Sequence, residues 1–123
     1  MSDDFLRFPD DEEPAPSQTR RAYFPAGAVS DIPEGKGRAI WIRSRKVAVF
    51  KIDGTLFACR DRCTHMGAAL SDGRLTGTTI ACGWHGWSFD LRTGKCVNKD
   101  WASVEVYPVR LIGDRFEVEL PLD

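Results

Sequence analysis

The chain contains only two histidines, and each stands beside a cysteine. Cys63-Thr64-His65 is followed, after sixteen intervening residues, by Cys82-Gly83-Trp84-His85. Two thiol–imidazole pairs so far apart can serve one metal centre only if the fold brings two loops together. That requirement restricts the architecture more than any other feature. Gly67, Gly73, Gly77, Gly83 and Gly86 surround the pairs, and glycine lets backbone amides come close to a sulfur because no Cβ intervenes. Amide N–H groups aimed at a thiolate-ligated centre stabilise added negative charge. A Cys₂His₂ set can also hold tetrahedral zinc, but zinc motifs commonly run two cysteines then two histidines. Alternating Cys-x-His and Cys-x-x-His between strands is a different arrangement. The plainest alternative is buried cysteines with incidental histidines nearby.

The rest of the chain reads as β-structure. Ala39–Ile42 and Val47–Ile52 are strand-like, with Arg43–Lys46 as a polar turn between them. Asp53-Gly54 is a hairpin turn signal, because both central positions need φ > 0, and it leads into Thr55–Cys59. Further short strands are expected at Thr78–Cys82, Trp87–Phe89, Ser103–Pro108 and Arg115–Leu120, with Thr93-Gly94 and Gly113-Asp114 as turns. No helical face emerges, and strands at this spacing imply an all-β sandwich or barrel.

Residues 1–17 carry six acids (Asp3, Asp4, Asp10, Asp11, Glu12 and Glu13) against Arg7 alone, a net of −5. The remainder carries 16 basic and 12 acidic side chains, a net of +4, and the whole chain is at −1. With Pro9, Pro14 and Pro16 interrupting it, the acidic stretch is expected to be a flexible tail. The expected division is a tail over 1–20 and one domain over 21–123. Near-neutral charge gives no pull toward nucleic acid. No run approaches the roughly 20 apolar residues that span a bilayer, so no membrane association is expected. Thr19-Arg20-Arg21 is similar to a twin-arginine signal, but the residues that follow include Pro25, Asp31, Pro33 and Glu34 instead of an apolar stretch. The cytoplasm is the expected compartment.

Cys63–Gly73 and Cys82–Asp90 resemble the two cluster loops of Rieske iron–sulfur proteins. The resemblance extends outward to Ile32-Pro33-Glu34-Gly35, Val49–Gly54, Thr93-Gly94, Tyr107-Pro108-Val109 and Gly113-Asp114-Arg115. It covers about Tyr23 to Leu122. It implies an all-β fold of three antiparallel sheets, with a cluster-binding subdomain formed by two loops. It further implies one 2Fe–2S cluster held by Cys63 and Cys82 on the inner iron and His65 and His85 on the outer. Replacing two thiolates by neutral imidazoles raises the potential of such a cluster. Gly83 stands where Rieske proteins commonly have proline, with a small effect expected on loop stiffness.

Departures from the respiratory-chain branch are informative. Its extra cysteine in the first loop corresponds to Ala68, so its disulfide is absent. Its sulfur-directed serine and tyrosine correspond to Trp87 and Phe89, which have no hydroxyl. The potential is therefore expected near the low end of the Rieske range, roughly −150 mV. The second loop also resembles that of Rieske oxygenases, but their catalytic iron needs two further histidines and a carboxylate, and both histidines here are already used. The chain is expected to be no enzyme by itself. Two roles stay open: a soluble ferredoxin carrying electrons from a flavin reductase to a terminal oxygenase, or the small subunit of a larger NAD(P)H-dependent reductase such as nitrite reductase. Cys59 and Cys96 are expected to be buried thiols, Trp41 and Trp101 core residues, and Trp87 packing beneath the loops. Met66 and Trp84 are expected to form an apolar rim.

Overall fold

The computed structural model describes residues 20–63, 68–83 and 86–122. Among the described residues ten strands run in chain order: β1 Arg21–Ala28, β2 Gly37–Ile42, β3 Arg45–Ile52, β4 Thr55–Arg60, β5 Arg74–Thr76, β6 Thr79–Ala81, β7 Ser88–Asp90, β8 Val106–Tyr107, β9 Val109–Ile112 and β10 Arg115–Pro121. They make three sheets, ordered β8-β4-β3-β2, β9-β10-β1 and β5-β6-β7. Every strand pair is antiparallel. The all-β, three-sheet expectation holds.

β3 explains how the sheets stack. Val47, Ala48, Val49 and Phe50 are all fully buried, and alternate side chains on a strand point to opposite faces. Val47 and Val49 join a core with Tyr107, Phe116, Val118 and Leu120. Ala48 and Phe50 join a second core with Leu70, Ile80, Phe89 and all four cysteines. A strand buried on both faces reads as a continuous apolar run. The second core lies beneath the two loops, and burying a side chain such as Phe50 there contributes about 2–3 kcal/mol.

Several local expectations need correction. The turn after β2 is only Arg43-Ser44, since Ile42 pairs with Arg45, and Arg43 takes a φ of 58° to close it. Of Ser103–Pro108, only Val106–Tyr107 is strand. The partner of Arg115–Pro121 across the Gly113-Asp114 turn is Val109–Ile112. β1 was not expected, because Pro25 cannot donate to a ladder. It lies at a sheet edge, where proline is tolerated, and the register steps from Phe116↔Gly27 to Glu117↔Pro25 across a bulge. Trp41 and Trp101 are not core residues; they are 68% and 74% exposed. Large aromatics are enriched inside proteins, but that tendency does not place any one of them.

Candidate metal centre

Both loops run into the same small sheet, the first from β4 of the four-stranded sheet and the second from within the small sheet itself. The first follows β4 and passes through Asp61, Arg62 and Cys63 to a 3-10 turn at Leu70–Asp72, which leads into β5. The second joins β6 to β7 through Cys82 and Trp87. Each is closed at its base in the same way. The Cys63 N–H donates to Ala68 O at 2.7 Å, and the Cys82 N–H donates to Trp87 O at 2.7 Å. Each bond brackets four residues, and within each bracket lies one histidine of the chain. Cys63 and Cys82 are 1% and 2% exposed and belong to one core.

The expected ligands His65 and His85, the expected rim residues Met66 and Trp84, and the acidic stretch 1–17 lie outside the described residues. Among the described residues no group of three or more His, Cys, Asp or Glu side chains forms a metal site.

Gly73 sets the approach of the two loops. A Cβ there would lie 2.2 Å from Ala81 O, the carbonyl just before Cys82. Only glycine allows that contact, which also pairs Arg74 with Ala81 in the small sheet. A cleft of about 740 Å³ beside it is lined by Lys36, Ser71, Gly73, Cys82, Gly83 and Gly86. Two buried thiols heading glycine-rich loops, next to open space, suit a thiolate-ligated centre.

Two braces escaped the sequence reading. Asp61 has a completely buried side chain within 3.6 Å of Lys46 Nζ and accepts from Ser71 N–H and Oγ, each at 2.7 Å. Asn98 holds the exit of the second loop through hydrogen bonds to Gly86, Ser88 and Cys96. An acidic residue ahead of an apolar loop was the one available hint for Asp61. Nothing local marked Asn98, which acts across twelve residues.

The remaining cysteines are free buried thiols, as expected: Cys59 and Cys96. Burial, and then the nearby Asp61 carboxylate, push the Cys59 thiol up to about 12, which keeps it protonated and inert. Trp87 is buried beneath the loops at 8% exposure. Outside the centre, a hydrogen-bonded Arg92 holds the Asp90 carboxyl below its usual range.

The Rieske [2Fe–2S] domain model matches residues 22–108. The ferredoxin component of a naphthalene 1,2-dioxygenase system from Pseudomonas aeruginosa is 31% identical over 99 residues, covering 80% of this chain and 95% of that protein. A chain from the complex of reduced oxygenase and oxidized ferredoxin in carbazole 1,9a-dioxygenase superposes with a TM-score of 0.71 at 28% identity, covering 78% of this chain and 91% of that one. A Mycobacterium tuberculosis protein assigned as an NADH-dependent nitrite reductase small subunit superposes with a TM-score of 0.77 at 23% identity, covering 85% and 99%. This last likeness is one of fold.

Proposed function

Since the chain belongs to the Rieske [2Fe–2S] domain family, we propose that it is a soluble ferredoxin, a cytoplasmic one-electron carrier between a flavin reductase and a terminal oxygenase. The observation that carries this reading is the pair of equivalent loops, each headed by a buried cysteine and closed by the same 2.7 Å bond. Cys63, His65, Cys82 and His85 would hold the 2Fe–2S cluster. When bound, that cluster accepts and releases one electron at a potential raised by its two imidazole ligands.

The chain's own residues supply position and shielding. The core of Phe50, Leu70, Ile80 and Phe89 beneath the loops keeps water from the two cysteines. Asp61 and Asn98 hold the loop bases from outside. Among the described residues no helix is long and apolar enough to cross a membrane. The family likeness to dioxygenase ferredoxin components supports an oxygenase as the acceptor.

Purified protein is expected to contain about two irons and two acid-labile sulfides per chain. It should be reduced by a flavin reductase and then support turnover by an oxygenase. Zinc without sulfide, from cells that assemble clusters normally, would overturn the cofactor assignment. Stable co-purification with a large flavin- or siroheme-containing partner would instead favour the reductase-subunit role.

A further inference from the structure

The second loop ends in a knot of hydrogen bonds that converge on one side chain. Asn98 Nδ2 donates to Gly86 O at 2.9 Å. Its Oδ1 accepts from the Ser88 N–H at 3.2 Å and from the Cys96 thiol at 3.1 Å. The segment carrying Asn98 is itself fastened to β7, since the Val97 N–H donates to Ser88 O at 2.7 Å and Phe89 bridges to Cys96. Ser88 Oγ adds a longer bond to Gly86 O at 3.3 Å.

This arrangement has a mechanical consequence. Gly86 has a φ of 70°, and a Cβ added there would meet open space, so no neighbour presses on that side of the turn. Its own N–H reaches Cys82 O only at 3.3 Å. A carboxamide that donates to one side of the turn and accepts from the other fixes the peptide plane where the loop rejoins the sheet. Gly86 directly follows His85 in the chain.

We propose that Asn98 is a positioning residue of the cluster site, whose carboxamide sets the exit of the second loop and so the reach of the ligand that precedes Gly86. The inference rests on the assignment of Cys82 and His85 as ligands. Asn98 touches no reacting atom itself. It acts as outer-sphere partners of metal sites do, by restricting the geometry of the group that binds.

The test uses the cluster-loaded full chain with Asn98→Ala and Asn98→Asp. The aspartate keeps an acceptor for Ser88 and Cys96 but loses the donor to Gly86 and sets an oxygen against that carbonyl. Both variants are expected to lose iron to a chelator about tenfold faster, the scale of one net hydrogen bond, and to shift the g-values of the reduced cluster. In Asn98→Ala, which removes the acceptor of the Ser88 N–H, amide exchange at Ser88 should accelerate by a similar factor, while global unfolding moves little. Wild-type loss rate and g-values in either folded variant would overturn the proposal. So would loss rates that merely track a lowered global stability. Should Asn98→Ala fail to fold, the near-isosteric aspartate variant decides. If the wild-type chain proved to hold no 2Fe–2S cluster, the ligand assignment would fall, and exchange at Ser88 would still report whether the clamp exists.

Discussion

The Asp61 carboxylate reaches across the first loop and accepts both the backbone N–H and the hydroxyl of Ser71, each at 2.7 Å. The Cys63–Ala68 bond lies inside that span, so the first loop is closed twice, once by backbone and once by a buried charge. Its ion-pair partner among the described residues is Lys46 Nζ at 3.6 Å, on a side chain 39% exposed. Ser71, more than Lys46, satisfies the carboxylate.

Replacing Asp61 with Ala is therefore expected to destabilise the fold by about 2–4 kcal/mol, because two bonds to a charged acceptor are lost and a partly buried N–H is left without its partner. Asp61→Asn keeps one acceptor and should cost about half as much. Denaturant unfolding of the two variants checks the order. Equal stability for Asp61→Ala and wild type would show that Ser71 finds water instead.

Gly73 and Gly83 offer a matched pair. Gly73→Ala puts a methyl 2.2 Å from Ala81 O, so one loop's backbone must move. The expected loss is about 1–3 kcal/mol, typical of overpacking, together with reduced iron content. Gly83→Ala meets nothing within 4 Å and needs no left-handed backbone. It should be neutral or stabilising by about 0.5 kcal/mol through the unfolded chain. A Gly73→Ala protein with full iron content and wild-type stability would contradict the close approach of the loops.

Cys59 makes stability depend on alkaline pH. Its folded pKa lies at about 12, above the ordinary 9.0, so the folded chain keeps a proton that the unfolded chain gives up. The stabilisation is fully present below pH 9 and is lost as pH rises toward 12. Between those limits stability should fall by about 1 kcal/mol per pH unit from this group alone. Cys59→Ala removes the titration and should flatten that decline between pH 9 and 11, even though the variant starts from lower stability. Parallel pH profiles for the two proteins would rule the thiol out as the cause.

What could be read in the sequence was whatever is encoded locally. The apolar run Val47–Phe50 and the Asp53-Gly54 turn carry their own signals, and the turn takes φ values of 52° and 79° in the structure. The two Cys/His clusters were visible because both histidines of the chain fall in them. β1 was hidden by Pro25 and Gly27, which are acceptable only because an edge and a bulge surround them. β5 is three residues long, too short for an alternating pattern to register. Asp61 and Asn98 belong to the site through partners ten and twelve residues away, and no spacing rule points to them. Trp41 and Trp101 were misplaced because hydrophobicity alone does not say which aromatic a small core has room for.

Phe89 tests the expectation of a low potential. Trp87 and Phe89 both occupy the core under the loops, so restoring a serine at 87 would open a cavity as well as add a donor, a large loss for a buried tryptophan. Phe89→Tyr changes one atom and isolates the hydroxyl effect. If that hydroxyl reaches a cluster sulfur, the midpoint should rise by roughly 50 mV from a starting value near the low end of the Rieske range. A strongly positive midpoint in the wild-type chain would show that missing hydroxyls do not set the potential.

Trp101 supplies the last prediction. Its ring packs edge-on to Trp87, with centroids 5.3 Å apart and planes at 80°, yet most of its surface is open to solvent. Val97, on the same segment, is also exposed, and that segment is fastened to the exit of the second loop. Two exposed apolar side chains therefore stand beside the loop through which an electron would leave. Carrier complexes are small and short-lived, and a modest apolar contact of this kind suits them. Trp101→Ala is expected to cost about 1 kcal/mol of stability through the lost aromatic pair. It should leave the midpoint unchanged, because Trp87 still covers the loop base, and slow electron delivery to the oxygenase several-fold at limiting carrier concentration. Saturating carrier should restore the rate, since docking and not transfer is weakened. If delivery by Trp101→Ala matches wild type at limiting concentration, the partner docks away from this segment.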